Sequence, residues 1–201
     1  MRITTATKSA TRQRILEAAK GLFLGDGWNN TTTREIAVAA GIATGTLFNY
    51  FPTKEAIAAA LIAEVLDNAA EEFGEPGQES SLDADLFTLV WSGLWKLRDY
   101  RKFLGQALDT IFSPLARSTP ESAGDALRVS HLELVDAMIS AHGYSGPRSA
   151  VTVQLYWTLY LGIFAFWSAD DSPGQEDTLA LLDRSMKLFV ASLATGQEGT
   201  K

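Results

Sequence analysis

A chain of 201 residues with 46% hydrophobic and 20% charged side chains has the composition of a packed globular protein, not of a disordered one. It has no cysteine, which excludes disulfides, thiolate nucleophiles and cysteine-ligated metal. The net charge of −7 argues, taken whole, against a nucleic-acid partner, yet it averages a +4 carried by residues 1–54 with a −11 carried by residues 55–201.

The uneven charge predicts two jobs in one chain: a basic first quarter able to meet a polyanion, and a solvated acidic body. Residues 1–10 are polar and basic with no apolar run, so no secretory leader is expected and the expected compartment is the cytoplasm. As a basic arm they have two open readings, a terminus without fixed structure or a follower of the minor groove. Ile15, Ala18, Ala19, Leu22 and Phe23 then recur at helical period. Thr11 is the expected N-cap of that helix, and Gly25-Asp26-Gly27 ends it.

The segment from Thr31 to Lys54 reads TTTREIAVAAGIATGTLFNYFPTK. Thr32 and Glu35 have the spacing of a capping box. Ile36, Ala37 and Ala40 give the helix an inner face, and Gly41 ends it. A second short helix is predicted over Thr44–Tyr50, closed by Phe51-Pro52, with Leu47 and Phe51 inward. Helix, tight glycine turn and short helix form the helix-turn-helix pattern, whose second helix reads the groove. Its outer face carries Thr44, Gly45, Phe48 and Asn49. Thr53 caps the next helix and places Lys54 in the first turn, where a cation opposes the helix dipole. An anion bound there resolves the conflict, and a lysine turned to solvent at small cost is the alternative.

From Thr11 to about Ala63 the chain resembles the DNA-binding domain of the TetR family of transcriptional regulators. The resemblance rests on TRQRILEAAKGLF, GW, TTTREIAVAAGI and GTLFNYFPTKEAI, in that order and spacing. It implies that Arg34 reads a base edge and that Thr44 and Asn49 contact bases. It implies phosphate contacts for Thr33, Thr46, Tyr50 and Lys54, which set register without reading sequence. Two residues depart from the pattern. Ala43 stands where many members carry a capping serine, so either Thr44 caps the reading helix or the cap is lost. Phe48 replaces a frequent tyrosine; its ring can meet a thymine methyl but offers no hydroxyl.

Beyond residue 54 the pattern stays helical. Residues 73–81 are rich in Gly, Pro and Ser and form a loop. Ser80 with Asp83 has the spacing of a helix start, and Leu82, Leu86, Leu89, Val90, Gly93, Leu94 and Leu97 share one face after it. Pro114 breaks a short helix, and Thr119-Pro120 opens one that runs to His142-Gly143. Gly146-Pro147 opens an uncharged helix, whose 21 uncharged positions at 149–169 are long enough to span a membrane but are read as a buried or interface helix. Ser172-Pro173 caps the last helix.

The expected fold is all-α with about nine helices: a three-helix, helix-turn-helix domain over 1–54, with its basic arm at 1–10, and a larger helical domain over 55–201. Aromatic residues crowd the larger domain. Trp91, Trp95, Phe103, Phe112, Tyr156, Tyr160 and Phe164 are either core and dimer seam or the wall of a pocket for a small apolar or aromatic ligand. Gln106, Asp109 and His131 are candidate polar groups for it. The resemblance implies an inducer in this domain and a homodimer through its last two long helices, Pro147–Ala169 and Pro173–Ala194. His131 and His142 lie about 16 Å apart along one helix and cannot share a metal, so neither metal nor cofactor is expected. No nucleophile–base pair or phosphate-cradling loop is legible, which argues against an enzyme. The expected function is a DNA-binding regulator that represses through a palindromic double-stranded operator; an activator with the same domain is the alternative.

Overall fold

The computed structural model describes residues 5–73, 80–101, 104 and 123–196. Among them lie eight α-helices and no strand. Phe103, Gln106, Asp109, Phe112, Pro114 and the Thr119-Pro120 helix start lie outside the described residues. The chain divides into two compact units, one of residues 1–64 with 99–126 and one of residues 65–98 with 127–201.

In the first unit α1 spans Thr5–Gly25 and buries Ile15, Leu16, Ala19 and Phe23. It starts well before Thr11, so that residue is no N-cap. Its hydroxyl donates to the Thr7 carbonyl at 3.0 Å, inside the helix. No proline or glycine interrupts residues 5–10, so the helix continues outward without an apolar stripe. α2 spans Thr33–Ala39 and α3 spans Thr44–Phe48. α1 packs on α2, and α2 on α3. α4 spans Lys54–Phe73, its residues from Val65 on belonging to the second unit, with the Ala56 N–H donating to Thr53 Oγ1 at 3.1 Å as the expected cap. Ile57, Ala58, Ala59, Ala60, Leu61 and Ile62 are all buried.

In the second unit α5 spans Leu82–Lys96. Its N-cap is Ser81, one residue later than expected, and the Ser81 side chain makes no cap bond. The predicted stripe from Leu82 to Leu97 is buried throughout. A Cβ on Gly93 would stand 2.7 Å from the Leu66 Cδ2 of α4, so glycine lets these two helices pass closely. α6 spans Ala123–Ala141. His142, just after it, places Nε2 2.8 Å from the Oδ2 of the buried Asp85 on α5. α7 spans Ala150–Ala169 and α8 spans Glu176–Gly196, preceded by a single 3-10 turn at Pro173–Gln175. α8 packs against α5 and α7.

α7 is the one described helix long and apolar enough to cross a membrane, with mean hydropathy 1.3. Protein already covers one side of it: Tyr156, Trp157, Tyr160, Ile163, Phe164 and Trp167 are buried. It opens on Ser149, two residues later than the expected start at Gly146-Pro147, because Ser149 Oγ accepts the Thr152 N–H at 3.1 Å and caps the helix there.

The start of α8 differs from the sequence expectation. Ser172 Oγ does accept an N–H, from Asp177 at 3.2 Å. The principal cap is Asp170, which accepts the N–H groups of Ser172 at 2.9 Å and Thr178 at 3.0 Å and the Thr178 hydroxyl at 2.5 Å. The Thr178 and Ser172 hydrogen bonds hold the Asp170 carboxyl well below the usual carboxylate range. A depressed folded pKa adds stability above the unfolded pKa of about 4, and that stability is lost as pH falls below it. Asp170→Asn therefore lowers the melting temperature at neutral pH, and the gap to the parent protein narrows from about pH 5 downward. Melting curves across that range check it, and a gap that does not depend on pH contradicts it.

Candidate nucleic-acid interface and ligand crevice

Local chemistry builds α2. Thr32 caps it with extended backbone angles: its Oγ1 accepts the Glu35 N–H at 3.3 Å, and Glu35 Oε2 accepts the Thr32 N–H at 2.8 Å. The Thr32 hydroxyl also donates to Glu35 Oε2 at 2.8 Å, and this bond, followed by that from the Thr32 N–H, lowers the pKa of Glu35. At the far end Gly41 takes φ +67°, the left-handed region that glycine enters freely. The Ile42 N–H then reaches the Ala37 carbonyl at 3.0 Å and the Gly41 N–H the Val38 carbonyl at 3.0 Å. This pair of bonds is the Schellman closure, and it sets the short turn into α3.

Ile36, Ala37, Ala40 and Leu47 are buried, so small and aliphatic side chains hold the two helices together. The outer sides carry the expected DNA-facing residues. Arg34, Gly45, Phe48 and Asn49 are exposed, and Thr33, Thr44, Thr46 and Tyr50 are half-buried. Phe48 leaves 48% of its surface open, an unusual amount for a phenylalanine in a packed unit. Ala43 occupies the N-cap of α3 and makes no side-chain bond there, so the cap is lost. Ala43→Ser supplies the missing acceptor and should stabilise the unit by about 0.5–2 kcal/mol, read as a raised melting temperature.

Lys54 takes a place that the sequence did not reveal. Its ammonium donates to the Trp28 carbonyl at 2.8 Å and the Thr31 carbonyl at 3.0 Å, and lies 4.3 Å from the Trp28 ring centroid. The cost of a cation in the first turn of α4 is thus offset by two carbonyls and an aromatic face within the protein. The loop so tied is itself ordered. Gly27 takes φ +84°, Trp28 packs on Phe23 with ring centroids 5.1 Å apart, and the Thr31 hydroxyl donates to the Gly27 carbonyl at 2.9 Å. Thr31 is the residue before the α2 cap, so the tie fixes where α2 begins. Sequence reasoning also missed Arg12, whose guanidinium lies 5.4 Å above the Phe51 ring just past α3. No linear spacing signals a contact between residues that far apart in the chain.

Replacing Lys54 by Met leaves the Trp28 and Thr31 carbonyls without a charged donor. The expected loss is about 1–3 kcal/mol of stability, with weaker DNA binding at every sequence alike. Thermal unfolding followed by circular dichroism measures the first part, and an unchanged melting temperature would refute the structural role.

The aromatic residues expected around a ligand separate into groups. Trp91 is half-buried and Trp95 is 54% exposed, with centroids 6.3 Å apart and the Arg98 guanidinium 4.6 Å from the Trp95 centroid. Tyr156, Tyr160 and Phe164 are buried in a continuous aromatic row along α7. His131 of α6 joins that row: its Nε2 lies 2.9 Å from the Tyr156 hydroxyl, and its ring is 4.3 Å from that of Tyr160. Burial lowers the His131 pKa to about 4 and raises those of Tyr156 and Tyr160, so all three are neutral at pH 7. A cavity of about 330 Å³ opens between α6, α7 and α8. Of the five expected aromatic residues that are described, Tyr156 lines it, together with Phe189 and the aliphatic side chains of Leu132, Val135, Ile139 and Val153. No group of three or more histidine, aspartate or glutamate side chains that could hold a metal occurs among the described residues.

Known proteins bear on both parts of the chain. Residues 15–61 match the family described as bacterial regulatory proteins, tetR family. The chain is similar to the HTH-type transcriptional regulator UidR of Escherichia coli K12, 36% identical over 66 residues that cover 33% of this chain and 34% of UidR. It is also similar to the HTH-type transcriptional repressor KstR2 of Rhodococcus jostii, 37% identical over 71 residues, 35% of each chain. These matches span about a third of the length of either relative. Over most of the chain the fold is similar to that of Thermus thermophilus FadR, a TetR-family repressor crystallised with lauroyl-CoA. That likeness has a TM-score of 0.70 at 24% identity and covers 89% of this chain and 93% of FadR.

Proposed function

We propose that this chain, which belongs to the TetR family of bacterial regulatory proteins through its N-terminal domain, is a ligand-responsive homodimeric repressor of transcription. Residues 1–54 form its DNA-binding domain and residues 55–201 its ligand-binding and dimerisation domain. The observation that carries the reading is the helix-turn-helix itself. Its inner sides are closed by Ile36, Ala37 and Leu47, while Arg34, Gly45, Phe48 and Asn49 stand open on the outer sides. Residues so exposed, on two short helices of which α2 is firmly capped, are suited to entering a major groove.

In this reading Arg34, Thr44, Gly45, Phe48 and Asn49 meet base edges, Phe48 through a thymine methyl. Thr33, Thr46 and Tyr50 hold phosphates, and Lys54 adds its positive charge and its remaining ammonium hydrogen. The +4 of residues 1–54 supplies the long-range attraction, and the −11 of the remainder keeps the rest of the molecule off the duplex.

The dimer forms through Pro147–Ala169 and Pro173–Ala194. Support comes from large apolar side chains exposed on these helices: Val151 at 77%, Leu155 at 39%, Phe166 at 44% and Leu188 at 67%. Such residues on adjacent helices suit a self-complementary seam. Two copies then place two reading helices on a palindrome, with half-sites about 34 Å apart or a multiple of it. A ligand acts by binding better to the arrangement that misplaces those helices. The site of action is DNA in the cytoplasm.

Selection of bound sequences from random DNA tests the reading. It should return a palindrome, bound by a protein that sediments as a dimer, with an affinity that falls steeply as salt rises. Arg34→Ala should relax preference at one base pair by about 1–3 kcal/mol and leave the others intact. A shallow salt response or the return of no palindrome would remove the proposal. Reporter transcription with and without the protein distinguishes repression from activation.

A further inference from the structure

The cavity between α6, α7 and α8 has a chemistry that specifies its occupant. It shares two helices with the surface assigned above to a second copy, but it lies on another side of α7. On α7 the exposed stripe runs through Val151, Leu155 and Phe166, whereas Val153 and Tyr156 face the cavity. At 100° per residue these two sets lie about a third of a turn apart around the helix.

The walls are apolar and held in place. Tyr156 is fixed from three directions. Its hydroxyl lies 2.9 Å from His131 Nε2, its ring stacks on Tyr160 at 6.3 Å and 16°, and Phe189 meets it edge-on at 5.1 Å. A wall already ordered by its own protein loses little freedom when a ligand arrives. The volume of about 330 Å³ is at the lower end for ligand sites, which restricts the occupant to one or two fused rings.

The polar groups of the lining include Asp136 and Arg148. Arg148 looks like an anion receptor, but three of its five N–H groups are engaged elsewhere. Nη1 donates to the Gly146 carbonyl at 2.9 Å, and Nη2 donates to the Tyr144 carbonyl at 2.6 Å and Ser140 Oγ at 3.2 Å. Nε faces Asp136 Oδ1 at 3.0 Å as an ion pair without the alignment of a hydrogen bond. The guanidinium thus closes the turn between α6 and α7 and pairs with the Asp136 carboxylate, which stays ionised. The Asp136 carboxylate is 56% exposed and can accept more hydrogen bonds than this one contact uses. The polar side of the cavity therefore accepts hydrogen bonds, carries little net charge, and has few N–H groups to spare for an anion.

We propose that this crevice binds a small neutral ring compound bearing a hydroxyl, a phenol or an alicyclic alcohol, which donates to Asp136 while its rings lie between Val135 and Ile139 on one wall and Tyr156 and Phe189 on the other. The proposal rests on the ligand-responsive reading above and names the chemical class of that ligand.

The test titrates the full-length protein with 1-naphthol, naphthalene and 1-naphthoate by calorimetry. 1-Naphthol should bind about tenfold or more tighter than either of the others, the factor that a hydrogen bond to a charged acceptor supplies. Asp136→Ala should remove that preference and leave naphthalene binding as it was. Val153→Trp should abolish binding of all three by filling the cavity, and Leu132→Trp does the same from the facing wall should the first variant fail to fold. Equal binding of 1-naphthoate and 1-naphthol, undiminished 1-naphthol binding by a folded filled variant, or no binding of any probe to the parent protein would each overturn the proposal. Operator binding by the ligand-free protein is measured alongside. Its absence counts against the regulator itself, whereas intact operator binding with failed titrations counts against the crevice alone.

Discussion

The tie between the Lys54 ammonium and the carbonyls of Trp28 and Thr31 is the constraint on which the candidate DNA-facing surface depends. It joins the first residue of α4 to the loop that delivers the chain into α2. The loop has no helix or sheet to satisfy its backbone, so its carbonyls need partners from elsewhere. A charged donor over the Trp28 face serves two of them at once. With the loop held, the Thr32–Glu35 box starts α2 at one place, and the Gly41 closure starts α3 a fixed distance later. The exposed residues of α2 and α3 inherit their positions from these joints, not from bonds of their own.

The acidic part of the chain follows a different economy. α7 has no charged residue, yet its two sides do different work. One is filled by its own unit through Tyr156, Tyr160, Phe164 and Trp167, and the other leaves Val151, Leu155 and Phe166 open. Between the filled side and α6 remains the cavity, bordered by an arginine whose hydrogen bonds bind the chain back on itself. A basic side chain near a cavity is easily taken for a receptor; its partners decide whether it has donors left to offer.

Much of the fold was legible in the sequence because the signals were local. The Thr32 capping box, the Thr53 cap and the Leu82–Leu97 stripe all depend on residues within one or two turns of one another. The misreadings were local too, where several residues could serve. Thr11 could cap a helix that in fact runs on from Thr5, and Ser172 shares with Asp170 a task that sequence assigns to it alone. The candidate DNA-facing residues were legible as types on a face. The internal partners of Lys54 were not, because Trp28 and Thr31 stand more than twenty residues earlier in the chain.

By itself, then, the sequence determined which stretches are helical, where most of them start and stop, and that a basic helix-turn-helix precedes an acidic helical body. Periodicity, capping and charge are properties of neighbouring residues, and no fold is needed to read them. Only the tertiary structure decided that the Lys54 ammonium points inward, that Arg12 lies over Phe51, that His131 meets Tyr156, and that of the five described candidate aromatic residues Tyr156 borders the cavity. Those outcomes depend on which helices come to lie side by side. Apolar contact is non-directional, so an aromatic residue in the sequence announces that it will be buried without announcing against what.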